Sequence, residues 1–242
     1  EVVDTYPEGS ATVRAWVSPP FNASLRAGSK KRTPEDVARD PVAGLCSADE
    51  CWDEALLSGL DQKLGRVTTD TVIVLHMKGS HGPAYYRRYP PAFERFKPAC
   101  RSTQLDQCSR ESIVNAYDNS ILYTDHVLGR TIELMRSRAN QVDAAMMFVS
   151  DHGESLGEKG LYLHGMPYAL APDEQKRIPF LLWLPGGRAR DWNLDAACLR
   201  SRSAQPVSHD DVYAMVLGLM GVRTKMYDQQ RDALASCRSQ GI

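Results

Sequence analysis

The stretch AAMMFVSDHGESLGE, residues 144–158, decides the fold. Its first part, AAMMFVS at 144–150, is a short apolar run of the kind that forms a strand buried on both faces of a parallel sheet. Asp151 and His152 follow directly, and Gly153 lets the backbone turn sharply beside them. Ligands of open α/β sheets bind beyond the carboxyl ends of the strands, so this polar loop is the first place to look for a site.

Other elements of the same type lie on both sides of this strand. Short apolar runs predict strands at 71–77 (TVIVLHM) and 178–184 (IPFLLWL). Helical periodicity predicts helices over 49–62, over 109–138 with Ser109 as a capping residue, and over 210–220 with Ser208 as N-cap and Gly221 as the stop. Strands separated by helices, without internal repeats, predict an α/β fold with a mostly parallel sheet sandwiched between helices.

Length and composition set the outer limits. A chain of 242 residues with 43% hydrophobic and 24% charged residues is expected to form one globular domain. The formal net charge of −1 gives no reason to expect a nucleic-acid partner. No stretch reaches the roughly 18 apolar residues of a membrane span, so we expect this stretch of chain to be soluble.

The cysteines indicate an oxidising compartment. The six are Cys46, Cys51, Cys100, Cys108, Cys198 and Cys237. The first two are five residues apart and the next two eight, both in polar, loop-like sequence, which suggests two short disulfide loops and no C-x-x-C metal or redox pair. Pairing the remaining Cys198 with Cys237 is the economical prediction.

The N-terminal 45 residues predict no regular element. Five prolines interrupt every candidate helix in residues 1–45, which we interpret as an irregular segment of unclear origin that precedes a domain at 46–242. The basic run Lys30-Lys31-Arg32 could contact anionic lipid headgroups, but for three charges a solvated face is the better interpretation.

Two further loops contain a histidine followed by glycine. The strand predicted at 71–77 leads into MKGSHGPAY at 77–85, which contains His81, and the segment LHGMPY at 163–168 contains His164. A carboxylate oxygen and neutral imidazole nitrogens form the mixture of ligands that zinc accepts. These loops therefore add two candidate ligands to the first loop.

The candidate metal ligands are Asp151, His152, His81 and His164. An isolated histidine near a turn is more often a hydrogen-bonded structural residue than a ligand. His152 favours the ligand interpretation because it follows Asp151 directly behind a buried strand. His126, in the middle of a predicted helix, and His209, in the first turn of another, are expected not to bind metal.

Four longer motifs carry a resemblance to a known family. They are HMKGSHGPAYYRRYPPAFERFKPAC (76–100), CSRESIVNAYDNSILYTDHVLG (108–129), FVSDHGESLGEKGLYLHGMPYALAPDEQKRIPFLLW (148–183) and VSHDDVYAMVLGLMGV (207–222). Between about Cys46 and Cys237 the chain resembles the phosphoethanolamine transferases that modify lipid A and related glycolipids, which include the colistin-resistance enzymes. A lone Asp-His-Gly is shared with sulfatases and phosphatases of the alkaline-phosphatase superfamily, but the combination of motifs is specific.

The resemblance implies a site and a reaction. Asp151 and His152 correspond to two ligands of a catalytic Zn²⁺, while His81 and His164 lie beside the substrate phosphate, where they hold a second zinc or protonate a leaving group. Glu154 and Glu158 take supporting roles, and Cys46–Cys51 and Cys100–Cys108 match disulfides of the family.

In the implied reaction, a zinc-activated threonine takes phosphoethanolamine from phosphatidylethanolamine and passes it to a sugar phosphate of a lipopolysaccharide (lipid A) acceptor. The resemblance also implies a periplasmic domain, the soluble part of a monomeric inner-membrane protein that works at the membrane surface.

The chain departs from the family in one respect. The acidic zinc ligand and the nucleophilic threonine should precede the matched region, and no residue there fits: Thr5 and Thr12 follow no buried strand, and Glu1 and Glu8 are no better as ligands. We therefore expect a sulfatase-like fold incomplete at its N-terminal side, weak zinc binding and no turnover by this chain alone. Two alternatives stay open, a catalytically inactive remnant or metal-binding fragment, and another superfamily sulfatase or phosphodiesterase.

Overall fold

The structure is a computed structural model in which residues 2–3, 14–17, 44–46, 50–185 and 192–238 are described. The strands are β1 (Val2–Val3), β2 (Arg14–Val17), β3 (Thr71–Val74), β4 (Met146–Val149), β5 (Ser155–Leu156), β6 (Tyr162–Leu163) and β7 (Phe180–Trp183). The helices are α1 (Leu60–Leu64), α2 (Arg110–Ser137), α3 (Asp173–Lys176), α4 (Ala196–Arg202) and α5 (His209–Leu219). Within these ranges, no helix combines the length and apolar character that a bilayer crossing requires.

The described strands form three small sheets. One has the order β1-β2-β3, the second consists of β4 and β7, and the third is the hairpin of β5 and β6. β2 and β3 are parallel, but β4 and β7 are antiparallel. The predicted α/β combination of strands and helices is confirmed, and this pair is an exception to the predicted parallel direction. Between the two strands the chain forms β5, a 3₁₀ turn at Glu158–Gly160, β6 and the short α3, so no long crossover helix returns it to the same direction.

The segment before residue 46 contributes to the sheet, contrary to the sequence prediction. β2 pairs with β3 in the register Arg14↔Thr71 to Val17↔Val74. Its sequence RAWV is too short, and too close to prolines, for periodicity to reveal it. The predictions on Thr5, Thr12, Glu1, Glu8 and the basic run at 30–32 lie outside the described residues.

The two long helices agree with their sequence signals. α2 begins after Ser109, whose side chain accepts a hydrogen bond from the Ser112 amide, and its buried face contains Ile113 and Tyr123. α5 begins after Ser208, which forms a capping box with Asp211. The helix predicted over 49–62 is instead a 3₁₀ turn (Asp53–Leu57) and α1, because Gly59 between them takes a left-handed φ of 76°.

A cavity of about 1940 Å³, which we call the strand gap, is lined by residues of β3, β4 and the facing side of α2. Among the described strands, β3 pairs only with β2 and β4 pairs only with β7, so each has one edge toward no described neighbour. Their apolar sequences predict full burial, yet both strands are only partly buried and Val74 is 43% exposed. His81, which follows β3, and His152, which follows β4, are among the residues that line this gap.

Three disulfides join the cysteines in the predicted pairs, Cys46–Cys51, Cys100–Cys108 and Cys198–Cys237. The first two close loops of 5 and 8 residues, and the third closes a loop of 39 residues that ties α4 to the C-terminal part. The third should therefore restrict the unfolded chain the most.

Loss of the long disulfide is expected to destabilise the chain more than loss of the short one. The double change Cys198→Ser with Cys237→Ser should lower the free energy of unfolding by roughly 2–4 kcal/mol, because the unfolded state regains the entropy of an open loop. Urea unfolding under oxidising conditions measures this. The matched control is Cys46→Ser with Cys51→Ser, and an equal or larger loss in that control would contradict the loop-length argument.

Candidate metal centre

Three elements bring together the histidines that we call the histidine cluster: His81, His152 and His164. His81 lies in the loop after β3, His152 lies in the loop after β4, and His164 directly follows β6. One ring nitrogen of each lies within 4.8 Å of the others. The ring centroids are 3.9 Å apart for His152 and His164, 4.9 Å for His81 and His164, and 5.9 Å for His81 and His152. The structure thus places three of the four candidate ligands in one group.

The loop after β4 fits only because residue 153 is glycine. The Gly153 amide donates a hydrogen bond to the Gln175 carbonyl at 3.0 Å, which brings the two backbones into direct contact. A Cβ atom at this position would lie 2.0 Å from the carbonyl oxygen of Glu174. This close approach of two chain segments determines the backbone position of His152 in the loop after β4.

Hydrogen bonds determine which ring nitrogen of each histidine is free. In all three rings Nδ1 is bonded to an oxygen that can only accept, so Nδ1 carries the hydrogen and Nε2 keeps its lone pair. The bonds are His81 Nδ1 to the Gly82 carbonyl (2.6 Å), His152 Nδ1 to the Gly153 carbonyl (2.9 Å) and His164 Nδ1 to Glu154 Oε1 (2.9 Å). This is the arrangement of metal-binding histidines, in which the second nitrogen is fixed by a hydrogen bond.

Glu154 links the cluster to the core. Its side chain is 4% exposed. Oε1 accepts from His164 and, at 3.3 Å, from the Gly82 amide, and Oε2 accepts from the Tyr85 hydroxyl at 2.8 Å. Burial, followed by the neighbouring Glu154 carboxylate, raises the pKa of Tyr85 far above its ordinary value, so the phenol remains a donor. One carboxylate therefore orients one ring of the cluster and the backbone next to another.

Asp151 lies at the edge of the cluster. Its side chain is 83% exposed, and Oδ2 is 3.8 Å from His152 Nε2. The other oxygen accepts a hydrogen bond from the His152 amide at 3.1 Å. The carboxylate is therefore next to the free nitrogen of His152 but outside the group of three whose ligand atoms lie within 4.8 Å. Its role as a ligand stays a prediction.

The two histidines expected not to bind metal have other partners. His126 Nε2 is 3.3 Å from Glu54 Oε2, and its ring stacks on Tyr123. His209 Nε2 is 2.7 Å from the Ser150 carbonyl and so connects the first residue of α5 to the end of β4. Sequence reasoning did not identify this last contact, because nothing local to either residue indicates it.

Comparison with known proteins gives consistent matches. The sulfatase family model matches residues 5–222. Phosphoethanolamine transferase EptA of Salmonella typhimurium is 43% identical over 213 residues, which are 87% of this chain and 39% of that protein. Phosphatidylethanolamine transferase Mcr-1 of Escherichia coli is 46% identical over 136 residues, 56% of this chain and 25% of that protein.

Among solved structures, the soluble domain of lipooligosaccharide phosphoethanolamine transferase A from Neisseria meningitidis is 36% identical. It aligns with a TM-score of 0.80 over 94% of this chain and 67% of that one. The family model, which begins at residue 5, includes most of the N-terminal region in which the sequence showed no resemblance. The chain spans about two fifths of the length of the EptA relative.

Proposed function

Because this chain belongs to the sulfatase family, we propose that its histidine cluster is the metal centre of a phosphoethanolamine transferase domain. The proposed donor is phosphatidylethanolamine, which the name of the Mcr-1 relative states. The proposed acceptor is the lipid A part of lipopolysaccharide, by analogy with a further relative, Kdo(2)-lipid A phosphoethanolamine 7''-transferase of Escherichia coli, which is 34% identical over 174 residues. Three disulfides among the described residues support an oxidising compartment, which agrees with a periplasmic domain.

The observation that carries the proposal is the set of three imidazoles with Nδ1 occupied and a ring nitrogen of each within 4.8 Å of the others. Neutral imidazole nitrogens with a neighbouring carboxylate form a donor set that suits Zn²⁺. His81, His152 and His164 would hold the ion, with Asp151 beside them. Zinc bound there would supply a Lewis acid that lowers the pKa of a hydroxyl and neutralises charge on phosphoryl oxygens.

One of the chain's own residues would accept the proton that the acceptor hydroxyl loses during transfer. When His164 is not bound to the metal, its Nε2 is suited to accept the proton of an incoming acceptor hydroxyl, because Nδ1 is engaged with Glu154. The bond from the Tyr85 phenol holds that carboxylate in place. A histidine not engaged with metal would therefore act as the general base of transfer.

We further propose that this chain alone binds metal without transferring phosphoethanolamine. A nucleophile needs a positioned base or metal, and in the described part of the chain no threonine hydroxyl is hydrogen-bonded to the histidine cluster. The threonines considered as substitutes, Thr5 and Thr12, lie outside the described residues. A transfer rate above blank from phosphatidylethanolamine to lipid A would overturn this part of the proposal.

Metal titration tests the proposed centre. We expect the purified chain to bind zinc, and His152→Ala and His164→Ala each to weaken binding by at least about 10-fold to 100-fold, the range seen when a group that supports metal is lost. Isothermal titration measures the affinity and elemental analysis the metal content. The matched control is His126→Ala, which should bind as the wild type does, and equal affinity of all four proteins would contradict the assignment.

A parallel assay separates the proposal from a hydrolase of the same family. A sulfatase or phosphodiesterase uses water as acceptor and would release sulfate or phosphate from small aryl esters. We expect no such release by this chain. Hydrolysis that depends on His152 and His164 would favour the hydrolase instead.

A further inference from the structure

A buried carboxylate outside the histidine cluster holds the loop that carries His81. Asp53, at the start of the 3₁₀ turn Asp53–Leu57, is 8% exposed. Its Oδ1 accepts a hydrogen bond from the Lys78 amide at 2.9 Å, and its Oδ2 accepts one from the Gly79 amide at 2.8 Å. Two successive backbone donors thus point at one carboxylate, a geometry that Gly79 permits with its left-handed φ of 56°.

An ion-pair network holds the far end of the same loop. The Arg88 side chain donates from Nε to the His81 carbonyl at 3.0 Å and from Nη1 to Glu50 Oε2 at 3.0 Å. Glu50 also accepts from Lys78 Nζ at 2.9 Å. Burial raises the pKa of Glu50, but the bonds and charges of Lys78 and Arg88 outweigh it and keep the pKa below its ordinary value.

These contacts fix the backbone of the loop on both sides of His81. His81 is an exposed residue, so packing does little to fix the position of its ring. Its position depends on where the backbone places Cα and on the bond from Nδ1 to the adjacent Gly82 carbonyl. A loop backbone held by a buried carboxylate has few alternative arrangements, because leaving that carboxylate without donors is costly.

We propose that Asp53 is the positioning residue for His81. Asp53 accepts hydrogen bonds from the Lys78 and Gly79 amides and so fixes the conformation of the loop. Arg88, which is paired with Glu50, fixes the His81 carbonyl. The role of Asp53 in metal binding rests on the proposed metal centre, but its role in positioning His81 rests only on these contacts. The Cys46–Cys51 disulfide ends two residues before Asp53 and restricts the start of the segment from which the carboxylate projects.

A double-mutant cycle with His81 is the first test. Asp53→Asn and Asp53→Ala should each lower zinc affinity about 10-fold in the wild-type background and have little further effect when His81 is already alanine, since the lost positioning acts through that ring. An equal loss in both backgrounds would show a general structural role and overturn the proposal. Asp61→Asn is the matched control, because that carboxylate pairs with Arg138 instead.

A measurement on the metal-free protein separates this proposal from the proposed function. In Asp53→Ala the imidazole ¹H–¹⁵N signals of His81 should shift and broaden and the Lys78 and Gly79 amides should lose protection from hydrogen exchange, while the His126 signals stay in place. Unchanged His81 signals would overturn the positioning role. If the His81 signals are displaced but the wild-type chain binds no zinc, the positioning role is supported and the proposed metal centre is contradicted. The asparagine variant, which keeps the shape of the side chain, supplies the readout if the alanine variant unfolds.

Discussion

Replacing Gly153 by alanine is expected to abolish measurable zinc binding and to lower the free energy of unfolding by at least about 5 kcal/mol, the range reached only by severe packing or backbone conflicts. The added Cβ would lie 2.0 Å from the Glu174 carbonyl oxygen. A backbone atom cannot rotate away as a side chain can, so one of the two segments must move. The Gly153–Gln175 hydrogen bond is then lost, and His152 leaves its place beside His164.

The matched control is Gly129→Ala. Gly129 lies inside α2, and no heavy atom lies within 4 Å of the position of an added Cβ. This substitution should stabilise the chain by about 0.5–1 kcal/mol through helix propensity and leave the metal centre untouched. Urea unfolding and zinc titration measure both variants. Wild-type stability and affinity in Gly153→Ala would contradict the close backbone contact on which the site depends.

Replacing Glu154 by alanine should have the second largest effect, a loss of about 3–5 kcal/mol, as expected when one partner of a buried charged network is removed. The Tyr85 hydroxyl and the Gly82 amide would each lose their acceptor. His164 would lose the bond that keeps Nδ1 protonated, so zinc affinity should fall by about 10-fold to 100-fold as well.

A double variant shows which part of the loss comes from the unpaired phenol, and a surface variant serves as the control. Glu154→Ala combined with Tyr85→Phe should recover part of the stability, because removing both partners of a buried hydrogen bond costs less than removing one. The double variant should not recover zinc affinity. Glu133→Ala, on an exposed side chain of α2, is the surface control and should change stability by less than about 0.5 kcal/mol. A Glu154→Ala chain as stable as this control would contradict the network.

The parts of the fold and site that the sequence predicts are those with local signals. An apolar run followed by Asp151 and His152 gives β4 and its loop, and the serines at 109 and 208 give the starts of α2 and α5. The short spacing of two cysteine pairs gives their disulfides, after which the third pair follows. The motifs predict His81 and His164 as site residues, and their ring centroids lie 4.9 Å apart in the structure.

The parts that the sequence does not predict depend on distant contacts. The hydrogen bond from Tyr85 to Glu154 spans 69 residues, and the bonds from the Lys78 and Gly79 amides to Asp53 span 25 and 26. No periodicity links such positions, and a carboxylate in a polar stretch is usually solvated. β7 runs antiparallel to β4, and the connection between them, residues 150–179, contains no long crossover helix. Strand direction leaves no trace in a run of apolar residues.

The strand gap also affects how molecules of this chain behave toward each other. In the described part of the chain, β3 and β4 each offer a row of backbone donors and acceptors beside partly exposed valines, methionines and phenylalanine. An open edge of this kind recruits a strand from any neighbour that supplies one. At high protein concentration the chain should therefore self-associate through these strand edges, and a short β-forming peptide that occupies the gap should slow that association.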